Sequence, residues 1–231
     1  MTTRKTARKK SVRAAPTNGL SLTDRAYGHL EEMIVTLQLP PGSAVSETAL
    51  SQRLGIGRTP IREALQRLAR ERLVTILPRR GIIVSEINVK SQLRLLEVRR
   101  EVERLVAKSA ARRTTPEERA QFLDLARRFE KSAKTSDEVS FMRVDREFNE
   151  LSVHAARNEF AAGAMSLMHS LSRRFWYIHY KQAADMPLTA KLHADVARAI
   201  AAGEEAEAGK AMDRLLDTVA KFTRDTVTTD Y

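Results

Sequence analysis

The sequence predicts a mainly α-helical protein with two domains of different charge. Apolar residues recur at helical spacing through most of the 231 residues, and extended patterns are confined to a short stretch near residue 80. Residues 1–90 carry 16 basic and 7 acidic side chains, whereas residues 91–231 carry 24 and 22. The net charge of +11 therefore lies mostly in the first third, which predicts a polyanion-binding module joined to a nearly neutral helical domain.

Composition excludes several classes of protein. The chain has no cysteine, which rules out disulfides, thiolate metal clusters and a cysteine nucleophile. An apolar content of 42% is enough to fill a core, yet no apolar stretch reaches the length of a membrane span or forms a signal peptide. We expect a folded, cytoplasmic protein that binds no membrane.

Residues 1–20 are predicted to be a disordered basic arm. They contain six basic side chains and hardly any apolar residue, so they cannot pack a core. Such a segment is either a solubilising tail or a flexible arm that follows the phosphates or the minor groove of DNA. A mitochondrial presequence is also basic, but Lys9 and Lys10 here lack an apolar face.

Residues 21–87 begin with three predicted helices. The first is expected to start at a cap of Thr23 or Asp24 and to end before a pair of prolines. Ser46 is expected to cap a second, short helix. After a glycine-rich turn, Thr59 is predicted to cap the third helix, with a proline at the first helical position, where its missing N–H is harmless.

A basic β-hairpin is predicted to follow the third helix. Two extended runs, 73–77 and 82–84, flank a basic turn. Three helices and a hairpin form the plan of a winged helix-turn-helix, in which the third helix enters the major groove of DNA and the wing reaches the backbone or minor groove. The arginines could instead form a solvated helix face, but the helix, turn and wing together favour DNA binding.

Residues 88–231 are predicted to form an all-α bundle. Caps, prolines and first-turn acidic residues indicate about six helices, at 88–113, 115–132, 137–156, 158–180, 187–202 and 204–226. No glycine-rich phosphate loop follows a strand, and no internal repeat is visible.

Several motifs in the first domain are typical of one family. They are Ser46-Glu47, Leu50-Ser51-Gln52-Arg53-Leu54-Gly55-Ile56, Arg58-Thr59-Pro60-Ile61-Arg62-Glu63-Ala64-Leu65 and Arg80-Gly81. With these motifs, residues 20–87 resemble the GntR family of bacterial transcriptional regulators. The resemblance implies that the third helix contacts phosphates and base edges of double-stranded DNA through Arg58, Thr59 and Arg62. It also implies that the wing approaches the minor groove at Arg79, Arg80 and Gly81. Gly57 and Arg72 depart from the family pattern without affecting the expected DNA binding.

The helical remainder, which begins Glu97-Val98-Arg99-Arg100, resembles the FCD effector-binding domain of the FadR branch of that family. The resemblance implies a homodimer that senses a small organic acid, with Arg99 offering a cation to it. Many FCD domains hold a divalent metal with one aspartate and three histidines. The matching positions here are Asp145, Asn149, His193 and Leu215, so two of the four ligands are altered.

These alterations predict an effector pocket without a tightly bound metal. An amide replaces imidazole poorly and leucine cannot ligate, so a weak, hydrated Mg²⁺ or Ca²⁺ near Asp145 and His193 is the most that we expect. Instead, a carboxylate metabolite is predicted to bind directly to Arg99, Asp145, Asn149 and His193. Arg99 also has a plainer interpretation as a surface residue, and His193 as a packed or partly exposed histidine. An aromatic and basic cluster at 173–180 could belong to the core, a dimer interface or the pocket.

The leading hypothesis is a dimeric, ligand-responsive repressor that binds a palindromic operator and is released or re-oriented by a small carboxylate metabolite. One alternative is a nucleoid-type protein that binds DNA without sequence preference, and another is a metal-dependent FCD sensor with a degraded site. We expect no enzyme, because no nucleophile and base stand at a recognisable spacing.

Overall fold

The computed structural model describes residues 20–79, 81–135, 137–183 and 185–229, which are mainly helical. Two predicted features, residues 1–19 of the basic arm and Arg80 of the wing, lie outside the described residues. Within the described chain, no helix combines the length and apolar character needed to cross a membrane.

The first part of the chain forms three helices and a small sheet. In chain order the elements are α1 (Leu22–Val35), β1 (Ala44–Val45), α2 (Glu47–Leu54), α3 (Arg58–Arg70), β2 (Val74–Leu77) and β3 (Gly81–Val84). Strand β3 is central and pairs antiparallel with both β1 and β2. The predicted hairpin is β2–β3. The sequence did not predict β1, because two residues are too few to show a period.

The core of this part is built by the apolar face of α3. Ile61, Ala64, Leu65 and Leu68 follow the spacing that places them on one side of a helix, and all four are buried against α1 and the sheet. Each buried leucine or isoleucine contributes roughly 1.5–3 kcal/mol through removal of apolar surface from water. Burial of this face fixes the opposite, basic face of α3 toward solvent.

Two helix starts differ from the sequence prediction. Ser21, rather than Thr23 or Asp24, caps α1 by accepting a hydrogen bond from the Asp24 N–H at 3.0 Å. Helix α3 begins one residue after Gly57, so the prediction of Thr59 as its cap is wrong. A proline fits anywhere in the first helical turn because those N–H groups have no partner within the helix, and its position alone does not fix the cap.

The second part consists of seven helices within the described residues. They are α4 (Val89–Arg113), α5 (Pro116–Thr135), α6 (Glu138–Ala156), α7 (Glu159–Ser166), α8 (His169–Ala183), α9 (Met186–Ala202) and α10 (Glu205–Thr229). The helix predicted at 158–180 is divided into α7 and α8. At the break, the N–H groups of Leu167 and Met168 bond to carbonyls three residues back, which tightens the chain into a turn. The predicted start at Thr115 is confirmed, since Thr115 and Glu118 cap each other reciprocally.

The two parts meet where α1 packs against α8, and a buried arginine fixes the linker between them. Arg174 is 2% exposed and donates hydrogen bonds to the carbonyl oxygens of Ser85 and Glu86, at 2.8 and 3.3 Å. Burial lowers the pKa of Arg174 to about 10. The chain leaving β3 is therefore attached to the helical domain.

Arg72 occupies a backbone conformation that favours glycine, with φ of +60°. We expect Arg72→Gly to raise the free energy of unfolding by up to about 1 kcal/mol, because relief of left-handed strain exceeds the extra entropy of glycine in the unfolded chain. Urea denaturation measures the difference.

The matched control is Arg70→Gly, two residues earlier at the last residue of α3. It should lower the free energy of unfolding by at most about 1 kcal/mol, the cost of glycine within a helix. A loss of stability in both variants would contradict the assignment of strain to Arg72.

Candidate DNA interface and effector cavity

The first candidate interface lies at the N-terminus of α3. Arg58, Thr59 and Arg62 are exposed there. Gly57 has no side chain to cap the helix, so the N–H groups of Arg58 and Thr59 in the first turn lack a side-chain acceptor. Free backbone donors together with the positive end of the helix dipole suit a phosphate.

A carboxylate from α2 holds both arginines of this interface. Arg62 donates from Nε and Nη2 to the two Glu47 carboxylate oxygens, at 2.9 and 2.8 Å, and Arg58 Nη2 lies 3.7 Å from Glu47 Oε2. The hydrogen bond from Arg62 is the main cause of a lowered pKa at Glu47. The sequence alone does not indicate this role, because Glu47 belongs to another helix and stands out only as part of a motif.

The wing is positioned by two residues with positive φ. Arg79 has φ of +62° and Gly81 has φ of +102°, and both are exposed. A φ of +102° strains any residue with a Cβ atom, so glycine is favoured here. In the predicted DNA contact, Gly81 would act by shaping the turn and letting the backbone come close to DNA. Arg79 extends the basic surface beyond α3.

The second candidate site is a cavity of about 50 Å³ in the helical domain. All four predicted ligand residues, Arg99, Asp145, Asn149 and His193, line it. The rest of its wall is formed by Phe141, Met142, Ser172, Arg173, Trp176, Thr189 and Val219. The structure thus brings together residues from α4, α6, α8, α9 and α10, while their role in binding stays a prediction.

Asp145 and His193 form a hydrogen-bonded pair in this cavity. His193 Nδ1 lies 2.8 Å from the Thr189 carbonyl oxygen, which can only accept, so Nδ1 carries a proton. Its Nε2 lies 3.3 Å from Asp145 Oδ1, and the Asn149 amide donates to the same oxygen at 3.2 Å. Burial raises the pKa of Asp145, but the hydrogen bond and charge of His193 and the charge of Arg173 outweigh it, so the pKa is lowered.

Two arginines supply the cations of the cavity. Arg99 donates from Nε to Glu103 Oε1 at 2.6 Å and is largely buried, which disagrees with its plainer interpretation as a surface residue. Arg173 Nε lies 3.6 Å from Asp145 Oδ2 and has no hydrogen-bond acceptor among the described residues. The sequence placed Arg173 in a suggestive cluster, but the pattern could not show which members face the cavity.

Comparison with protein families agrees with this architecture. The model of the bacterial regulatory proteins of the gntR family matches residues 22–84, and the model of the FCD domain matches residues 94–218. The chain belongs to the GntR family. It is a transcriptional regulator with a GntR DNA-binding domain and an FCD domain, as the sequence predicted.

Several known proteins are similar to this GntR-family chain. The HTH-type transcriptional repressor RspR of Escherichia coli K12 is 23% identical over 88% of this chain and 89% of its own. An uncharacterized HTH-type transcriptional regulator of Streptomyces ambofaciens is 43% identical over 74 residues, although this match spans only 31% of that protein. The solved structure of E. coli McbR/YncC has a TM-score of 0.78 at 18% identity, covering 90% of this chain and 99% of that one.

The cavity of this GntR-family protein does not fit a tightly bound transition metal. Leu215 is buried in the apolar core, and Asn149 directs its amide donor toward Asp145. No cluster of three or more histidine, aspartate or glutamate side chains able to hold a metal occurs in the described part of the chain. Asp145 and His193 alone provide two ligands, fewer than structural or catalytic zinc requires.

His169 on α8 makes stability depend on pH. Burial lowers the pKa of His169 from 6.5 to about 4, opposed by Glu103, whose Oε1 is 4.0 Å away. The unfolded chain is therefore expected to bind a proton between pH 6.5 and 4 that the folded chain does not. The contribution of His169 to the free energy of unfolding should fall by about 3 kcal/mol as pH is lowered through this range.

Replacing His169 with glutamine should remove this contribution and flatten the dependence of stability on pH, as measured by urea denaturation at several pH values. The control is His154→Gln, since the His154 side chain is 76% exposed against 19% for His169. Equal slopes for wild type and His169→Gln would show that burial does not change how readily His169 binds a proton.

Proposed function

We propose that this GntR-family regulator is a homodimeric, cytoplasmic repressor that binds a palindromic operator and is released by a small carboxylate metabolite. The main support for DNA binding is that Arg58, Thr59 and Arg62 are exposed at the start of α3, where no side chain caps the helix. The support for a carboxylate ligand is that Arg99 and Arg173 line a cavity of the helical domain. The relative RspR is named a transcriptional repressor, which supports repression. Since its relatives are regulators, we expect no catalytic activity.

Glu47 gives the DNA interface a means of specificity. The guanidinium of Arg62 meets the Glu47 carboxylate with two parallel hydrogen bonds, the geometry that arginine also uses toward guanine O6 and N7. The two hydrogen bonds restrain the Arg62 guanidinium, and guanine must offer bonds of at least equal strength to replace the Glu47 carboxylate. The carboxylate also repels phosphates, which disfavours binding without sequence preference.

Arg62→Ala should reduce the ratio of operator affinity to scrambled-DNA affinity by roughly ten- to a hundredfold, the effect of losing one bidentate base contact. The operator is first selected from genomic fragments, and affinities are measured by fluorescence anisotropy at physiological salt. Arg70→Ala, at the far end of α3, removes the same charge and should leave the ratio unchanged.

A wild-type protein that binds operator and scrambled DNA equally would overturn this proposal. That result would favour the alternative of a nucleoid-type protein.

An apolar row on α4 supports the homodimer. Leu95, Val98, Val102 and Leu105 follow helical spacing along one face, and Val98 and Leu105 are 54% and 48% exposed. Leu95 and Val102 also pack against the small cluster that joins α4 to α7. A second copy placing the same row against this one forms a two-fold interface, the symmetry that a palindromic operator requires.

Leu105→Glu should weaken dimerisation at least tenfold, because a charge would be buried at the interface without a partner. Sedimentation equilibrium measures the dimer constant. Leu123→Glu on α5 is the matched control, since Leu123 is 45% exposed and lies outside the row. Equal dimer constants for the two variants would remove the α4 row as the interface.

Effector recognition is proposed to use arginine rather than a transition metal. Arg99 and Arg173 face the cavity, where a carboxylate can form charge-assisted hydrogen bonds to guanidinium groups. Protein purified without chelator should contain far less than one equivalent of zinc, nickel or manganese by elemental analysis. Near-stoichiometric metal, with loss of ligand response after stripping, would instead support the metal-dependent sensor.

A further inference from the structure

A carboxylate of the DNA-binding domain is buried among arginines of the FCD domain. Glu31 lies on α1, and its side chain is 3% exposed. Arg173 Nη1 of α8 donates to Glu31 Oε1 at 2.7 Å, and Arg146 Nη1 of α6 approaches Oε2 at 3.4 Å. Two guanidinium groups of one domain therefore hold one carboxylate of the other.

This contact borders a cavity of about 180 Å³ between the domains. Glu31, Arg146 and Arg173 all line it. Asn149 and Arg173 line both this cavity and the effector cavity, so the two spaces are neighbours that share a wall. The volume is many times the roughly 10–15 Å³ that one water needs, which leaves room for a small organic anion.

The charge of the interdomain cavity depends on Glu31. Its lining contains three arginines, Arg67, Arg146 and Arg173, against two carboxylates, Glu31 and Glu150. Arg67 is also paired with Glu71 at 3.2 Å, and Arg146 with Glu150 at 2.9 Å. Arg173 has its shortest ion pair with Glu31, while its Nε lacks a hydrogen-bond acceptor among the described residues. Displacement of Glu31 would leave Arg173 ready for another carboxylate.

We propose that Arg146 and Arg173 form a carboxylate-binding site at the domain interface, which Glu31 fills in the free protein and a carboxylate of the effector takes over on binding. The inference rests on the proposed ligand response and identifies its coupling step. Arg173 is the shared group, because it borders both cavities. An anion reaching it from the effector cavity competes directly with Glu31.

Loss of the Glu31 contact frees the element that carries the DNA-reading helix. Helix α1 packs against α3 through the core that contains Leu30 and Ile61, so α3 moves with α1. A ligand that prefers the arrangement without the Glu31 contact shifts the protein toward it, and DNA that prefers the other arrangement must weaken the ligand by the same factor.

Chemical rescue tests the site in the full-length protein. Glu31→Ala removes the internal carboxylate, and sodium acetate serves as the probe. Acetate should raise the melting temperature of Glu31→Ala and restore hydrogen-exchange protection in α1, compared with sodium chloride at equal ionic strength. Wild type should show neither response, because Glu31 already fills the site.

Two further variants define the contact. Glu32→Ala, at the exposed neighbouring position on α1, should not respond to acetate. Adding Arg173→Gln to Glu31→Ala should abolish the rescue. Absence of an acetate response in Glu31→Ala, or its persistence after Arg173→Gln, would overturn the proposed site.

A milder substitution covers the case in which Glu31→Ala does not fold. In Glu31→Gln, a neutral amide competes for the arginines less well than a carboxylate, so acetate should bind at least tenfold more tightly than to wild type by calorimetry. Equal acetate affinities would contradict the site. Operator discrimination by wild type is measured separately, so failure of the carboxylate site and failure of the proposed DNA binding are distinguishable.

Discussion

Two adjacent arginines of α8 connect the DNA-binding domain to the FCD domain, and the relative placement of the two domains depends on them. Arg174 holds the carbonyl groups of Ser85 and Glu86 in the linker, while Arg173 holds Glu31 of α1. Buried charges are costly to desolvate, and removing one partner of a buried pair typically costs 3–5 kcal/mol. Such contacts therefore favour one domain arrangement strongly while they are intact, and a ligand that offers a replacement partner can change that preference.

The sequence predicted the elements that local chemistry determines. Thr115 and Glu118 form their capping pair within four residues, and the apolar spacing of α3 fixes its buried face regardless of the rest of the chain. The break between α7 and α8 was missed because it contains no proline and follows a glycine, Gly163, that helices tolerate. The sequence from α7 to α8 is helical enough to predict one continuous helix. The break between α7 and α8 depends on how the two halves pack against the rest of the protein.

The contacts that join the domains could not be predicted in the same way. Glu31 and Arg173 are separated by 142 positions, and each lies on a helix whose charges would ordinarily face water. The four residues expected around the effector were found from a family pattern, yet the pattern did not indicate that Arg173 would join them. The partnership of Glu47 with Arg62 likewise crosses two helices, and a spacing of 15 residues has no meaning without the turn between them.

The chemistry of the effector cavity resolves an apparent conflict in the proposed carboxylate ligand. Asp145 would repel an anion if it faced the cavity alone, but one of its oxygens accepts from Asn149 and lies beside His193, and the other lies near Arg173. These neighbours compensate its charge, so the ligand meets a hydrogen-bonded wall rather than a bare carboxylate. Arg173 lies between Asp145 and Glu31. A new acceptor that binds Arg173 from the cavity therefore weakens the ion pair between Arg173 and Glu31. In the proposed coupling, the side chain that makes the cavity tolerant of an anion is also the one through which a bound anion acts on α1.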